Sequence, residues 1–234
     1  MKTRTAVLTA ALTALATSTT MADTVDAKFT GTGRGSNVRI TLNTGTVTVF
    51  AGQLKHSFTN GVGLGAGLSG QMVTYCADIS QYVTSTYKTF TIAPVASLSD
   101  SSPMGAAKAG AIAGLYAFAG GAQLFSTASN DLATAFQLAV WEVISDYVPE
   151  DGGASLDVTA GSFKAAKSDG SALSAGVMAH LSNLLANINK PMAEGYSLLG
   201  VSNSSAQDQI VLVPSAGTAS LAGVGLLCLA RRRR

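Results

Sequence analysis

Apolar and polar residues alternate through the first part of the chain, with Val38, Ile40 and Leu42, then Val47 and Val49, on either side of Asn43-Thr44-Gly45. A period of two broken by Asn and Gly predicts antiparallel strands in a meander from Asp23 to about Ile92, because successive strand side chains face opposite sides. The runs Gln71-Met72-Val73-Thr74-Tyr75-Cys76-Ala77-Asp78-Ile79 and Tyr87 to Ile92 read as further strands. The period then lengthens. Ser102-Pro103 followed by MGAAKAGAIAGLYAFAGG predicts a helix with a hydroxyl cap, proline at its first position and Gly-Gly at its end. A second helix is predicted from Asn130-Asp131 up to Pro149, and a third over roughly 171–189, before Pro191. Glu150 to Asp157 reads as a polar loop, and Gln207-Asp208-Gln209-Ile210-Val211-Leu212-Val213 as a strand that rejoins the sheet. Together these elements predict an α+β fold: an antiparallel sheet or barrel-like half, a helical insertion of about three helices, and a closing C-terminal strand.

The two ends of the chain differ from this body. Residues 1–22 have a basic start (Met-Lys-Thr-Arg-Thr), the apolar stretch AVLTAALTALATSTT and a small-x-small site at Thr20-Met21-Ala22. They read as a secretory signal peptide processed after Ala22, leaving a body over 23–213. Residues 214–234 run Pro214-Ser215-Ala216-Gly217-Thr218, then ASLAGVGLLCLA, then Arg231 to Arg234. The apolar stretch is shorter than the ~20 residues that span a bilayer comfortably, and the arginines would stay on the cytoplasmic side. This tail resembles a bacterial PEP-CTERM sorting signal, with Pro214-Ser215-Ala216 standing where that family has Pro-Glu-Pro. The resemblance implies an exosortase-like sorting peptidase and delivery to the cell surface or an exopolysaccharide matrix. A tail retained as a membrane anchor is the alternative.

Composition narrows the partners. The 234 residues are 47% hydrophobic and 12% charged, and the body alone is long enough to bury one core. The formal charge of +2 comes from the ends: over 23–213, nine basic side chains face thirteen acidic ones, a net of −4. Nucleic acid is excluded as a partner, because a polyanion requires clustered Lys and Arg.

The cysteines carry the chemistry. Cys228 lies in the tail, so Cys76 is the thiol of the body, and an exported lone thiol is buried, paired between chains or chemically used. Gln137, Val140, Trp141 and Ile144 recur at helical spacing and share one core-like face. A Gln there is out of place. Burying its amide without partners costs about 1–3 kcal/mol, so it is either hydrogen-bonded or chemically consumed.

The segment Thr74-Tyr75-Cys76-Ala77-Asp78 and the helix Ala135-Phe136-Gln137-Leu138-Ala139-Val140-Trp141-Glu142-Val143-Ile144 together resemble the thioester domains of bacterial surface adhesins, which pair an aromatic-Cys strand with a Gln-x-Ala-x-Trp helix. The resemblance covers residues 70–213. It implies a bond between the Cys76 sulfur and the acyl carbon of Gln137, with Trp141 beside it; Phe136 stands where that family often has Thr. It also implies covalent attachment to an amine-bearing ligand, a protein lysine or a polyamine, in a single turnover. The protein would then be a reactive binding module rather than an enzyme, with no cofactor.

Residue chemistry supplies the expected surroundings. Tyr75, Phe136 and Trp141 would wall out water. Asp78, two residues on, would share the strand face of Cys76 and act as base or orienting group, or else would hydrogen-bond backbone amides at the strand end. Two other classes compete: a passive surface or matrix structural protein with a buried free cysteine, and an enzyme using Cys76 with His56 or His180 as base. His56 is expected on the solvated surface and His180 in a structural position. No metal site is expected, and Asp146, Glu150 and Asp151 read as a solvated loop because their spacing fits no EF-hand. Gly61 to Gly67 lacks the Lys-Ser or Lys-Thr of a phosphate loop and reads as a flexible strand connection.

Overall fold

A computed structural model describes residues 22–99, 102–191 and 196–214. The predicted signal peptide and sorting tail lie outside the described residues, apart from Ala22 and Pro214 at their edges. Among the described residues no helix is long and apolar enough to cross a membrane.

The alternation at the start of the body produces a long hairpin, β1 (Thr24–Leu42) and β2 (Gly45–Val62). Its turn is Asn43-Thr44, with Leu42 paired to Gly45 and Val38 to Val49. The remaining strands are β3 (Gly70–Cys76), β4 (Lys88–Ala93), β5 (Lys164–Lys167), β6 (Tyr196–Asn203) and β7 (Ala206–Pro214). All pairings are antiparallel, and six strands close into a ring in the order β1-β2-β3-β7-β6-β4 and back to β1. Closure works because the first residues of β1 pair with β2 on one side and with β4 on the other. The barrel-like half is therefore a closed antiparallel barrel, and closure removes the open edges a flat sheet would expose. The hairpin extends beyond the ring, where Val38 to Thr41 accept β5 as an added strand. It bends through register shifts, and at Gly52, with φ of 148°, a Cβ would overlap the backbone of Arg34.

Among the described residues there are four helices: α1 (Gly105–Phe118), α2 (Gln123–Ser126), α3 (Asn130–Asp146) and α4 (Ala175–Leu185). Ser129 caps α3, its hydroxyl accepting the Leu132 N–H, and Ser174 caps α4 through Val177. α3 is central, packed between the β1–β2 hairpin and the helices α1 and α4. Every residue from Ala133 to Val143 is buried, so the face that carries Gln137 has no solvated opposite along this stretch.

Several boundaries differ from the sequence expectation. α1 begins at Gly105, whose φ of 79° breaks the chain direction, and the residue before it makes no side-chain cap, so Ser102 and Pro103 precede the helix rather than open it. α4 is shorter than the third predicted helix. β3 stops at Cys76 instead of running to Ile79, because the chain turns at Ala77 to Ser80. The elements β5, β6 and α2 were not expected.

Candidate functional site

Cys76 is the last residue of β3, with Gln209 of β7 opposite it, and the next residue's N–H, that of Ala77, donates to Asp208 O. On the other side of β3 the pairing with β2 ends at Leu54–Thr74. Beyond that point the backbone N–H and C=O of Cys76 need a different partner, since buried peptide groups are almost always paired. Gln137 supplies both bonds. The Cys76 N–H donates to Gln137 Oε1 at 2.9 Å, and Gln137 Nε2 donates to the Cys76 carbonyl at 2.8 Å. The carboxamide thus takes the place of a peptide group in a missing strand, with Gln137 and Cys76 0% and 2% exposed.

The Cys76 thiol donates to the Asp78 carbonyl, with sulfur and oxygen 3.1 Å apart. Burial pushes the thiol up to about 12, helped by the charges of Asp78 and Asp208. The Trp141 indole N–H has no hydrogen-bond partner among the described residues and stands near enough to the sulfur to oppose that shift. At neutral pH the group is a thiol.

Asp78 has a different place from the base position. Its carboxylate accepts from the Ser80 N–H at 2.7 Å and the Ser80 hydroxyl at 2.6 Å, and only its backbone carbonyl meets the sulfur. The two-residue strand period that would align the Asp78 and Cys76 side chains stops where β3 ends. The backbone-capping alternative is the one realised.

Of the predicted aromatic walls, Trp141 lines a cavity of about 240 Å³ that reaches Cys76. Tyr75 and Phe136 do not line it. They pack on each other with ring centroids 4.7 Å apart, Tyr75 also meets Phe125, and its hydroxyl donates to Leu124 O. Tyr75 and Cys76 are adjacent on a strand, and strand neighbours face opposite sides. The cavity walls are instead Phe29, Ile40, Val49, Phe50 and Leu54 from the long hairpin, together with the segment Gln81 to Val83. Sequence reasoning missed these residues, and only the register of the hairpin could have placed them.

The Gln81–Val83 segment is tied down. Gln207 Nε2 donates to Gln81 O at 2.9 Å and the Gln207 N–H to Tyr82 O at 3.0 Å. A polar chain runs on beneath the cavity: Gln209 Nε2 donates to Gln207 Oε1, Thr74 donates to Gln209 Oε1, and His56 Nδ1 shares a 2.9 Å bond with Thr74 Oγ1. His56 is therefore not on the surface. It is 3% exposed, its ring beside those of Phe29 and Phe58, and burial lowers its pKa to about 4. Leu54, His56 and Phe58 alternate inward along β2, which places the imidazole inside despite the neighbouring Lys55. With His56 on Thr74 and the thiol on Asp78 O, the structure holds no Cys76–His56 hydrogen bond. His180 sits half-buried on α4.

No group of metal-ligating side chains is found among the described residues. Asp146 accepts the N–H groups of Ser162 and Phe163, and Asp151 that of Gly153, so these carboxylates organise the loop backbone. Glu142 is buried, accepts the Asp157 N–H through Oε1, and is raised to about 7 by burial. The glycine run forms a tight turn over Gly63–Gly67; a Cβ on Gly65 would overlap the Thr24 carbonyl and one on Gly61 the Gly65 carbonyl, so close packing accounts for these two glycines.

Compared with models of known families, with characterised proteins and with solved structures, the chain matches none of them.

Proposed function

We propose that the chain is an exported surface or matrix-associated protein whose body closes an internal thioester between Cys76 and Gln137 and uses it to capture an amine-bearing partner. The supporting observation is the two-point docking of the Gln137 carboxamide on the backbone of Cys76, in a water-excluding site, by residues 61 apart in sequence. The sulfur adds to Gln137 Cδ, the C–N bond breaks, and the thiol proton departs with the nitrogen as ammonia. No external base or oxidant is needed for that balance. Negative charge developing on Oε1 meets the Cys76 N–H that already donates to it, an arrangement of the oxyanion-hole type. A thiol held near 12 reacts slowly, which suits one event per molecule. An incoming amine then displaces sulfur and becomes amide-linked to Gln137. The signal-like residues 1–22 and the tail at 214–234 support the location, with a sorting peptidase and the membrane as the partners they address.

A second reading has its own observation. The same two hydrogen bonds satisfy the amide of Gln137, so a passive matrix protein could hold Gln137 as a plug at the end of β3 and Cys76 as a small core residue. Intact mass of residues 23–213 under non-reducing conditions separates the two. The thioester leaves the wild type short by one ammonia, the deficit vanishes in Cys76→Ala and Gln137→Ala, and methylamine restores mass as an adduct. Full calculated mass, with a thiol titratable after unfolding, supports the plug.

A further inference from the structure

We propose that the cavity beside Cys76 is the port by which the amine arrives, and that it takes an unbranched alkylamine, such as the end of a lysine side chain, in preference to a diamine. The inference rests on the thioester reading and specifies its substrate. At about 240 Å³ the cavity is smaller than the ~300–1,000 Å³ of sites for drug-sized ligands and has room for one slender chain. Its hairpin wall is mostly apolar, with Thr32 and Thr48 adding two hydroxyls, and none of the described residues lining the cavity is charged. A methylene stem is buried favourably there, whereas a second ammonium would lose its hydration with no carboxylate to pair with.

Two polar atoms in the lining residues are buried and lack a well-formed hydrogen bond among the described residues: Gln81 Oε1, an acceptor, and Trp141 Nε1, a donor that stands beside the Cys76 sulfur. Such atoms are uncommon in folded proteins and invite a specific occupant. Their chemistry matches the two ends of aminolysis. The N–H of an uncharged amine donates to Gln81 Oε1 while its lone pair faces Gln137 Cδ; the new C–N bond forms, the C–S bond breaks, and the amine proton ends on the Cys76 sulfur. The Trp141 N–H supports the sulfur as it leaves. Gln81 is a positioning residue, and its backbone is held by Gln207 while the Phe29 N–H secures Thr84 O. Tyr82, 84% exposed, stands at the rim, where a partner protein's surface would meet it.

The test uses residues 23–213 carrying the thioester, its content read from the ammonia deficit. n-Butylamine and putrescine are compared at equal concentration and pH, and capture is expressed per thioester-bearing molecule. Butylamine is expected to react at least tenfold faster than putrescine. Gln81→Met, which keeps the length and removes the acceptor, is expected to slow butylamine capture at least tenfold relative to hydrolysis of the same thioester. Equal rates for the two amines, or undiminished capture by a thioester-bearing Gln81→Met, would overturn the inference and leave the thioester standing. If Gln81→Met does not fold, the wild-type comparison of the two amines decides alone. Absence of the ammonia deficit in the wild type overturns both readings.

Discussion

His56 and Glu142 are both buried and ionisable, and they pull the acid response in opposite directions. The folded pKa of His56, about 4 against an ordinary 6.5, means that folding favours the neutral ring: its contribution is present above 6.5 and is lost as pH falls toward 4. Glu142, about 7 against 4.5, is favoured as the neutral acid, so its contribution is present below 4.5 and is lost as pH rises through 7. Each shift corresponds to about 3 kcal/mol. In the wild type the two largely cancel between pH 4.5 and 6.5. Glu142→Gln is expected to lower Tm progressively as pH drops from 7 to 4.5, and His56→Gln to raise it over the same range. Thermal melts across that window check both slopes, and a common tilt in the two variants would rule out opposed burial effects. Nothing in the local sequence shows either shift. Lys55 before His56 suggests solvent, and Glu142 looks like an ordinary helix carboxylate until the helix is found to be enclosed.

Elements that carry their own pattern were legible, and elements that exist through their neighbours were not. The β1–β2 hairpin, β4, β7 and α3 each have a period, a turn or a cap written locally. β5 is Lys-Ala-Ala-Lys, without a β-branched residue, and is a strand because the free side of Val38 to Thr41 offers a ladder. α1 shows the same dependence on context through its glycines. Gly110 is exposed with open space around its Cα, so Gly110→Ala is expected to stabilise by about 0.5–1 kcal/mol. A Cβ on Gly114 would overlap the carbonyl of Ile188, just beyond α4, so Gly114→Ala is expected to destabilise although it improves helix propensity. Urea unfolding of the two variants distinguishes them by sign. The close approach that Gly114 permits sets α1 against the segment following α4.

Across the whole molecule, the site exists only when the ring is closed. Cys76 needs β7 on one side and α3 on the other, and Thr74 reaches Gln209 over a separation of 135 residues. Such non-local pairing is slow to form, because the chain loses loop entropy before the contacts compensate for it. On the thioester reading, bond formation should therefore follow folding. Trp141 is the single tryptophan of the chain and lies at the site, so its fluorescence reports the arrival of α3 against β3 during refolding. Quenched samples of refolding protein are expected to show the Trp141 signal first and the loss of ammonia afterwards, as a first-order process. Chains held in urea should keep full mass. Ammonia loss from the unfolded chain would show that proximity, rather than the folded site, drives the bond.

The sequence alone determined the fold class and the order of most elements, and it singled out Cys76 as the lone thiol of the body and Gln137 as a polar side chain in an apolar helix face, since periodicity, turn residues and residue type are local properties. Only the tertiary structure decided how that pair is held: the β2–β3 ladder stops at the Leu54–Thr74 pair, Gln137 fills the unpaired side of Cys76, Asp78 turns to Ser80, and residues of the long hairpin rather than Tyr75 and Phe136 enclose the cavity. The physical reason is that side-chain direction near a strand end depends on where the ladder stops and what replaces it, and that depends on residues far away in the chain.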